Sequence, residues 1–132
     1  MADPKVDRSD REPPALDPLR EAVARQAQDV VARRRLGWGL YGAGNTQEAL
    51  AVFRQARRDF PEDVDVLYGL GLTAKRAGVV DEADEAFLLV ANLAEAMTDP
   101  GRGEILQRLA TGHHNQVRTG RWGLKQKVWG EA

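Results

Sequence analysis

The chain of 132 residues is long enough for one domain. Its 42% hydrophobic and 30% charged side chains, with a net charge of −1, suit a globular protein and exclude a wholly disordered one. Cysteine is absent, which removes disulfides, thiolate metal sites and cysteine nucleophiles together.

Residues 1–16 hold Pro4, Pro13 and Pro14 among charged side chains, with Val6 and Leu16 the only large aliphatics. So little apolar surface does not offset the entropy of ordering, and a disordered tail is expected there. Met1 to Arg11 lacks the apolar core of a signal peptide, and the longest apolar run, Ala86 to Ala91, is too short to span a bilayer. The expectation is a cytoplasmic protein without a membrane partner.

A single helical domain is expected over residues 17–132. Asp17-Pro18 opens it, because Asp caps a helix and Pro suits the first helical position. Apolar residues then follow at helical spacing through Leu19, Val23, Ala27, Val30, Val31, Leu36 and Leu40, ending at Gly42 and Gly44. Asn45 is placed to cap a second helix with Glu48 three residues on, running through Leu50, Phe53 and Ala56 to Phe60-Pro61. Glu62-Asp63 precede a third, through Val66, Leu67, Leu70 and Ala74 to Gly78. Asp81-Glu82 open a fourth, through Phe87, Val90 and Leu93, ending before Pro100. A fifth covers Glu104 to about Arg118, and a short sixth covers Trp122 to Trp129.

The first two helix pairs repeat at an offset of 34. Leu36-Gly37 maps onto Leu70-Gly71, Gly44 onto Gly78, Glu48-Ala49 onto Glu82-Ala83 and Phe53 onto Phe87, with Pro61 closing the first copy. Leu-Gly, then Ala-x-x-x-Phe, then Pro at this period resembles the tetratricopeptide-repeat (TPR) family. The resemblance extends over residues 30–97, as repeats of about 30–63 and 64–97. The family's tryptophan is replaced by Arg33 and Leu67, and its tyrosine by Leu40 and Ala74. The last helices fit no single register. Placing Leu109-Ala110 on the Leu-Gly pair sets Trp122 at the alanine, whereas placing Gly120 on Gly78 sets Trp129 at the phenylalanine. A degenerate C-terminal cap of about 102–130, with an extra turn, is expected.

The resemblance implies an all-α fold of antiparallel helix-turn-helix repeats, stacked in a short right-handed solenoid with capping helices. It further implies a non-enzymatic adaptor or scaffold that binds a peptide or protein partner in a concave groove lined by the first helix of each pair. Position by position, the groove takes Arg34, Trp38 and Tyr41 from the first copy and Tyr68, Leu72, Lys75 and Arg76 from the second. Gln107, Thr111 and His114 come from the degenerate one. Aromatics beside Arg and Lys suit an extended peptide with apolar side chains and a carboxylate. The alternative is a self-associating structural subunit, a homo-oligomer, since stacked repeats need neighbours to cover their faces. The Lys/Asn clamp of one TPR subclass is not assembled, with Trp38, Gly69 and Glu104 at its places.

Other chemistries find less support in the residues. His113 and His114 are adjacent and point about 100° apart on a helix, against a shared metal. Asp81-Glu82 and Asp84-Glu85 open a helix, where negative charge is stabilising, and no nucleophile stands near them in sequence. Gly42-Ala43-Gly44 lacks the strand and lysine of a phosphate loop. Neither catalytic residues nor a cofactor are expected. The net charges of residues 1–19, 20–58, 59–100 and 101–132 are −2, +5, −8 and +4. Arg33-Arg34-Arg35, Arg54, Arg57 and Arg58 have the chemistry to meet phosphates, but the acidic segment beside them opposes a nucleic-acid partner.

Overall fold

The computed structural model describes residues 16–97 and 99–122. Within them lie six helices: α1 Leu16–Arg25, α2 Val30–Gly42, α3 Thr46–Asp59, α4 Val64–Ala77, α5 Val80–Ala94 and α6 Pro100–Thr119. The described residues contain no strand. Short connections turn each helix back on the one before, which gives an all-helical stack of antiparallel neighbours. The expected tail lies outside the described residues apart from Leu16, which opens α1. The expected final helix lies outside them beyond Trp122.

The expected helix from Asp17 to Gly42 is two helices. Apolar spacing through Ala27, Val30 and Val31 is continuous, yet the backbone turns at Gln26–Asp29, where the Asp29 N–H donates to the Gln26 carbonyl at 2.9 Å. The Asp29 carboxylate then accepts from the N–H groups of Val31 at 2.9 Å and Ala32 at 3.3 Å and starts α2 afresh. Asp63 caps α4 in the same way, accepting from Val66 N–H at 2.9 Å. Asp29 and Asp63 are themselves 34 residues apart. Asp17 lies inside the first turn of α1, and Asn45 stands at the N-cap of α3 without a side-chain cap bond. Glu48 pairs with Arg20 at 2.9 Å.

That last pair extends the repeat backwards. Arg20–Glu48 recurs as Arg54–Glu82 at 2.7 Å, with both members shifted by 34. Helix α1 therefore stands to α3 as α3 stands to α5, in the place of a second helix of a preceding unit. Arg57–Glu85 at 3.0 Å adds to this row. The basic and acidic segments of the sequence thus neutralise one another across α1, α3 and α5.

Phe53 and Phe87 form the centre of the core, both with no exposed surface. A Cβ on Gly37 would lie 2.6 Å from the Phe53 ring, and one on Gly71 would lie 2.6 Å from the Phe87 ring. The recurring glycine is thus a slot for the aromatic of its own helix pair, rather than a point where backbones touch. Gly69 on α4 closes over Phe53 from the other side. Each ring buried this way contributes about 3 kcal/mol from its removal from water. Ala49 and Ala83 are fully buried at the helix crossings. Leu16, Leu19 and Val23 of α1 cover a second cluster of Leu36, Leu40 and Ala49.

Arg33, at the position of the family's tryptophan, is 7% exposed and bonds Asp59 at 2.5 Å, with its guanidinium over the Phe60 ring at 5.6 Å. It ties the end of α3 to α2 through charge and ring contact where an indole would do so by packing.

Helix α6 has 20 residues against 14 in α4, and the second half of the expected degenerate pair lies outside the described residues. Helix α6 ends at Gly120 with φ 79°, the left-handed conformation that Gly44 and Gly78 also adopt after α2 and α4.

Candidate partner-binding site

Of the ten expected groove residues, three lie on α2 and four on the neighbouring α4, and the other three lie on α6. On α2, the Trp38 ring packs edge-on against Phe53 at 5.4 Å and Tyr41 at 5.6 Å. Arg76 crosses from the last turn of α4 to lay its guanidinium 3.5 Å from the Tyr41 ring centroid, and it donates to the Tyr41 carbonyl at 2.7 Å. That carbonyl lies at the C-terminal end of α2, where the helix dipole favours a cation. Leu72 is half-buried against the core between these two rows.

The other side of α4 faces α6. Tyr68 packs edge-on against Phe87 at 6.1 Å, and His113 stacks on the same Phe87 ring at 4.8 Å. The Lys75 ammonium approaches His113 Nδ1 at 3.0 Å and donates to the Gln116 side-chain oxygen. An ammonium has no lone pair to offer, so Nδ1 is the acceptor and the imidazole proton sits on Nε2. Nε2 then donates to the Tyr68 hydroxyl at 3.3 Å. Burial, reinforced by the Lys75 charge, pushes His113 down to about 4. Burial alone lowers Lys75, and burial raises Tyr68. Lys75 thus remains a half-buried cation whose partners, His113 and Gln116, are neutral.

Arg34, the third basic residue expected here, is engaged within the protein, pairing with Asp63 at 3.3 Å and Asp65 at 3.4 Å. His114 turns to α5 and contacts Asp84, which Arg118 also reaches at 3.2 Å. Gln107 donates to Glu95 at 2.7 Å, and Thr111 is half-buried. The histidine that joins Tyr68 and Lys75 is therefore His113. The offset of 34 carries no information about α6, whose register is set by the stacking of His113 on Phe87.

The remaining chemistries have structural answers as well. Arg33, Arg54 and Arg57 are engaged by Asp59, Glu82 and Glu85. Among the described residues, no group of three or more His, Asp or Glu side chains is placed to hold a metal ion, and no helix is long and apolar enough to cross a membrane.

Comparison with known families matches residues 40–95 to the model of the tetratricopeptide repeat, from the end of α2 to the connection after α5. No curated protein and no solved structure matches the chain. The matched segment contains the Gly71 slot, both aromatic plugs and helices α3, α4 and α5, with only the last turn of α2. Repeats of this kind serve as protein–protein interaction modules. With offset, paired helices and matched segment in agreement, the chain contains a tetratricopeptide-repeat region over residues 40–95.

Proposed function

We propose that the chain is an adaptor or scaffold module, without chemistry of its own, that binds a peptide or protein on the face of α2, α4 and α6. The partner segment brings a carboxylate to Lys75 and Arg76 and apolar side chains to Trp38, Tyr41, Tyr68 and Leu72. One observation carries this reading. Arg20, Arg33, Arg34, Arg54, Arg57, Arg102 and Arg118 each meet a carboxylate, and Arg35, Arg58, Arg108 and Arg121 meet none but are exposed, whereas Lys75 is half-buried and meets none among the described residues, with the exposed Arg76 beside it in the same state. A cation drawn partly out of water with only neutral partners carries a desolvation cost that a carboxylate offsets. Lys75 also keeps one of its three donors unused within the described residues, available to a ligand oxygen.

Photo-crosslinkers placed singly at Leu72, Arg76 and Leu88 test this in a native lysate. Leu88 is an exposed control on α5. The expected result is one protein trapped from Leu72 and Arg76 and not from Leu88. Equal trapping from all three, or trapping from Leu88 alone, would overturn the assignment of the face.

Self-association is the second reading. It is favoured by α1, none of whose residues is buried, and by Ile105 on α6, which is 62% exposed. Light scattering separates the two, because a mass that stays monomeric over a hundredfold concentration range contradicts a self-assembling subunit.

A further inference from the structure

Lys75 is the one lysine among the described residues, and its Nζ is held by two neutral acceptors, His113 Nδ1 at 3.0 Å and the Gln116 side-chain oxygen. Two of its three N–H bonds are thereby committed to α6, and the third has no acceptor among the described residues. The proton on that third bond is the least stabilised, so it is the one lost first. Its loss leaves a lone pair at the open position, while the other two N–H bonds keep the nitrogen in place. Burial of the ammonium, with no carboxylate among the described residues to hold its charge, lowers the proton affinity of Lys75 and favours that loss.

His113 completes a nucleophile–base pair. Its ring stacks on Phe87 at 4.8 Å and is met edge-on by Trp122 at 4.8 Å, which holds it in one orientation. Nδ1 turns its lone pair to Lys75. Nε2–H donates to the Tyr68 hydroxyl at 3.3 Å, a contact that strengthens when the imidazole becomes charged. A partly desolvated amine beside a fixed base is the arrangement that activates a lysine as a nucleophile.

We infer that Lys75 is a site of covalent N-acylation by small acyl phosphates, with His113 as the acceptor of the amine proton. The anionic donor is drawn to Lys75 and Arg76, the two cations of α4, which meet no carboxylate among the described residues. Lys75 first yields one proton to water, and the neutral Nζ attacks the acyl carbon. The C–O bond to phosphate breaks, and phosphate leaves with the electron pair. The nitrogen's second proton passes to His113 Nδ1 and from there to solvent. The product is an uncharged amide. One consequence rests on the binding face proposed above: acylation removes the attraction for a partner's carboxylate and so releases the partner.

The test needs no partner. The full chain is treated with acetyl phosphate at neutral pH, and acetylation at each lysine is followed by peptide mass spectrometry. The same reaction in guanidinium chloride gives each rate in the unfolded chain, with Lys5, Lys125 and Lys127 as internal references. Folding should speed Lys75 severalfold relative to those three. His113→Gln, shown folded by circular dichroism, should remove most of that gain and leave the other lysines unchanged. Lys75 labelled no faster in the folded chain than in the unfolded one overturns the inference, whether or not the variant folds. An undiminished rate in folded His113→Gln overturns it as well. Failure here leaves the binding face standing, and failure of the crosslinking experiment leaves the acylation standing.

Discussion

Gly71 and Gly42 sit in neighbouring helices under opposite conditions, and alanine at each separates two effects of one methyl group. A Cβ on Gly71 meets the Phe87 ring at 2.6 Å, whereas one on Gly42 meets nothing within 4 Å. Alanine gains up to about 1 kcal/mol of helix propensity over glycine at either place. At Gly71 that gain is outweighed by overpacking, typically about 1–3 kcal/mol. Thermal melts should therefore show Gly71→Ala less stable than the parent and Gly42→Ala equal or slightly more stable. His113 adds a pH signature. Its folded value of about 4 lies below the ordinary 6.5, so the unfolded chain binds the proton more tightly. Stability is full above pH 6.5 and falls as pH drops from there toward 4. His113→Gln should lose less stability over that window, measured by denaturant titration at each pH. Equal slopes in both proteins would mean that His113 is exposed in solution.

At the scale of elements, the caps and the row of ion pairs say how far the repeat extends. Asp29 and Asp63 each accept bonds from the start of their helices, whereas Asn45 accepts none. Asp29→Ala and Asp63→Ala should each cost about 1 kcal/mol in denaturant unfolding, and Asn45→Ala close to nothing. The two helix pairs, their small buried alanines and their aromatic plugs were legible in the sequence because Leu-Gly, Glu-Ala and Phe recur without a gap. The place of α1 was not. Ala27, Val30 and Val31 keep the helical period running through the turn at Asp29, and a period records which face is apolar without recording where the backbone breaks. The signal that was available is polar: Asp29 with Asp63, and Arg20 with Arg54, at the same offset as the apolar set. In α6 the opposite holds, because its 20 residues carry no copy of the pattern. Choosing His113 over His114 required knowing where Phe87 lies. The basic run at Arg33-Arg34-Arg35 had no legible outcome either, since ion pairing across 26 or more residues depends on how helices stack.

At the scale of the molecule, α1, α3 and α5 pair Arg20, Arg54 and Arg57 with carboxylates of the same row, whereas Lys75 and Arg76 on α4 meet no carboxylate among the described residues. Side chains on the face of α2, α4 and α6 also support the core: Trp38 lies on Phe53 and Tyr68 lies on Phe87. Replacing either aromatic with Ala would lower stability and binding together and so decide little. Lys75 is the better probe, because its two proposed contributions have opposite signs. Its half-buried charge, compensated by no carboxylate among the described residues, lowers the stability of the free protein. The same charge attracts the partner's carboxylate, an interaction of about 1.5–3 kcal/mol or roughly tenfold or more in affinity. Lys75→Met keeps the length of the side chain and removes only the ammonium. With the crosslinked partner in hand, the decisive measurement is melting temperature and dissociation constant on this one variant. Binding weakened at least tenfold, with a melting temperature unchanged or higher, is the predicted result. A melting temperature lower by several degrees, with unchanged affinity per folded molecule, would contradict the account and make Lys75 a structural residue.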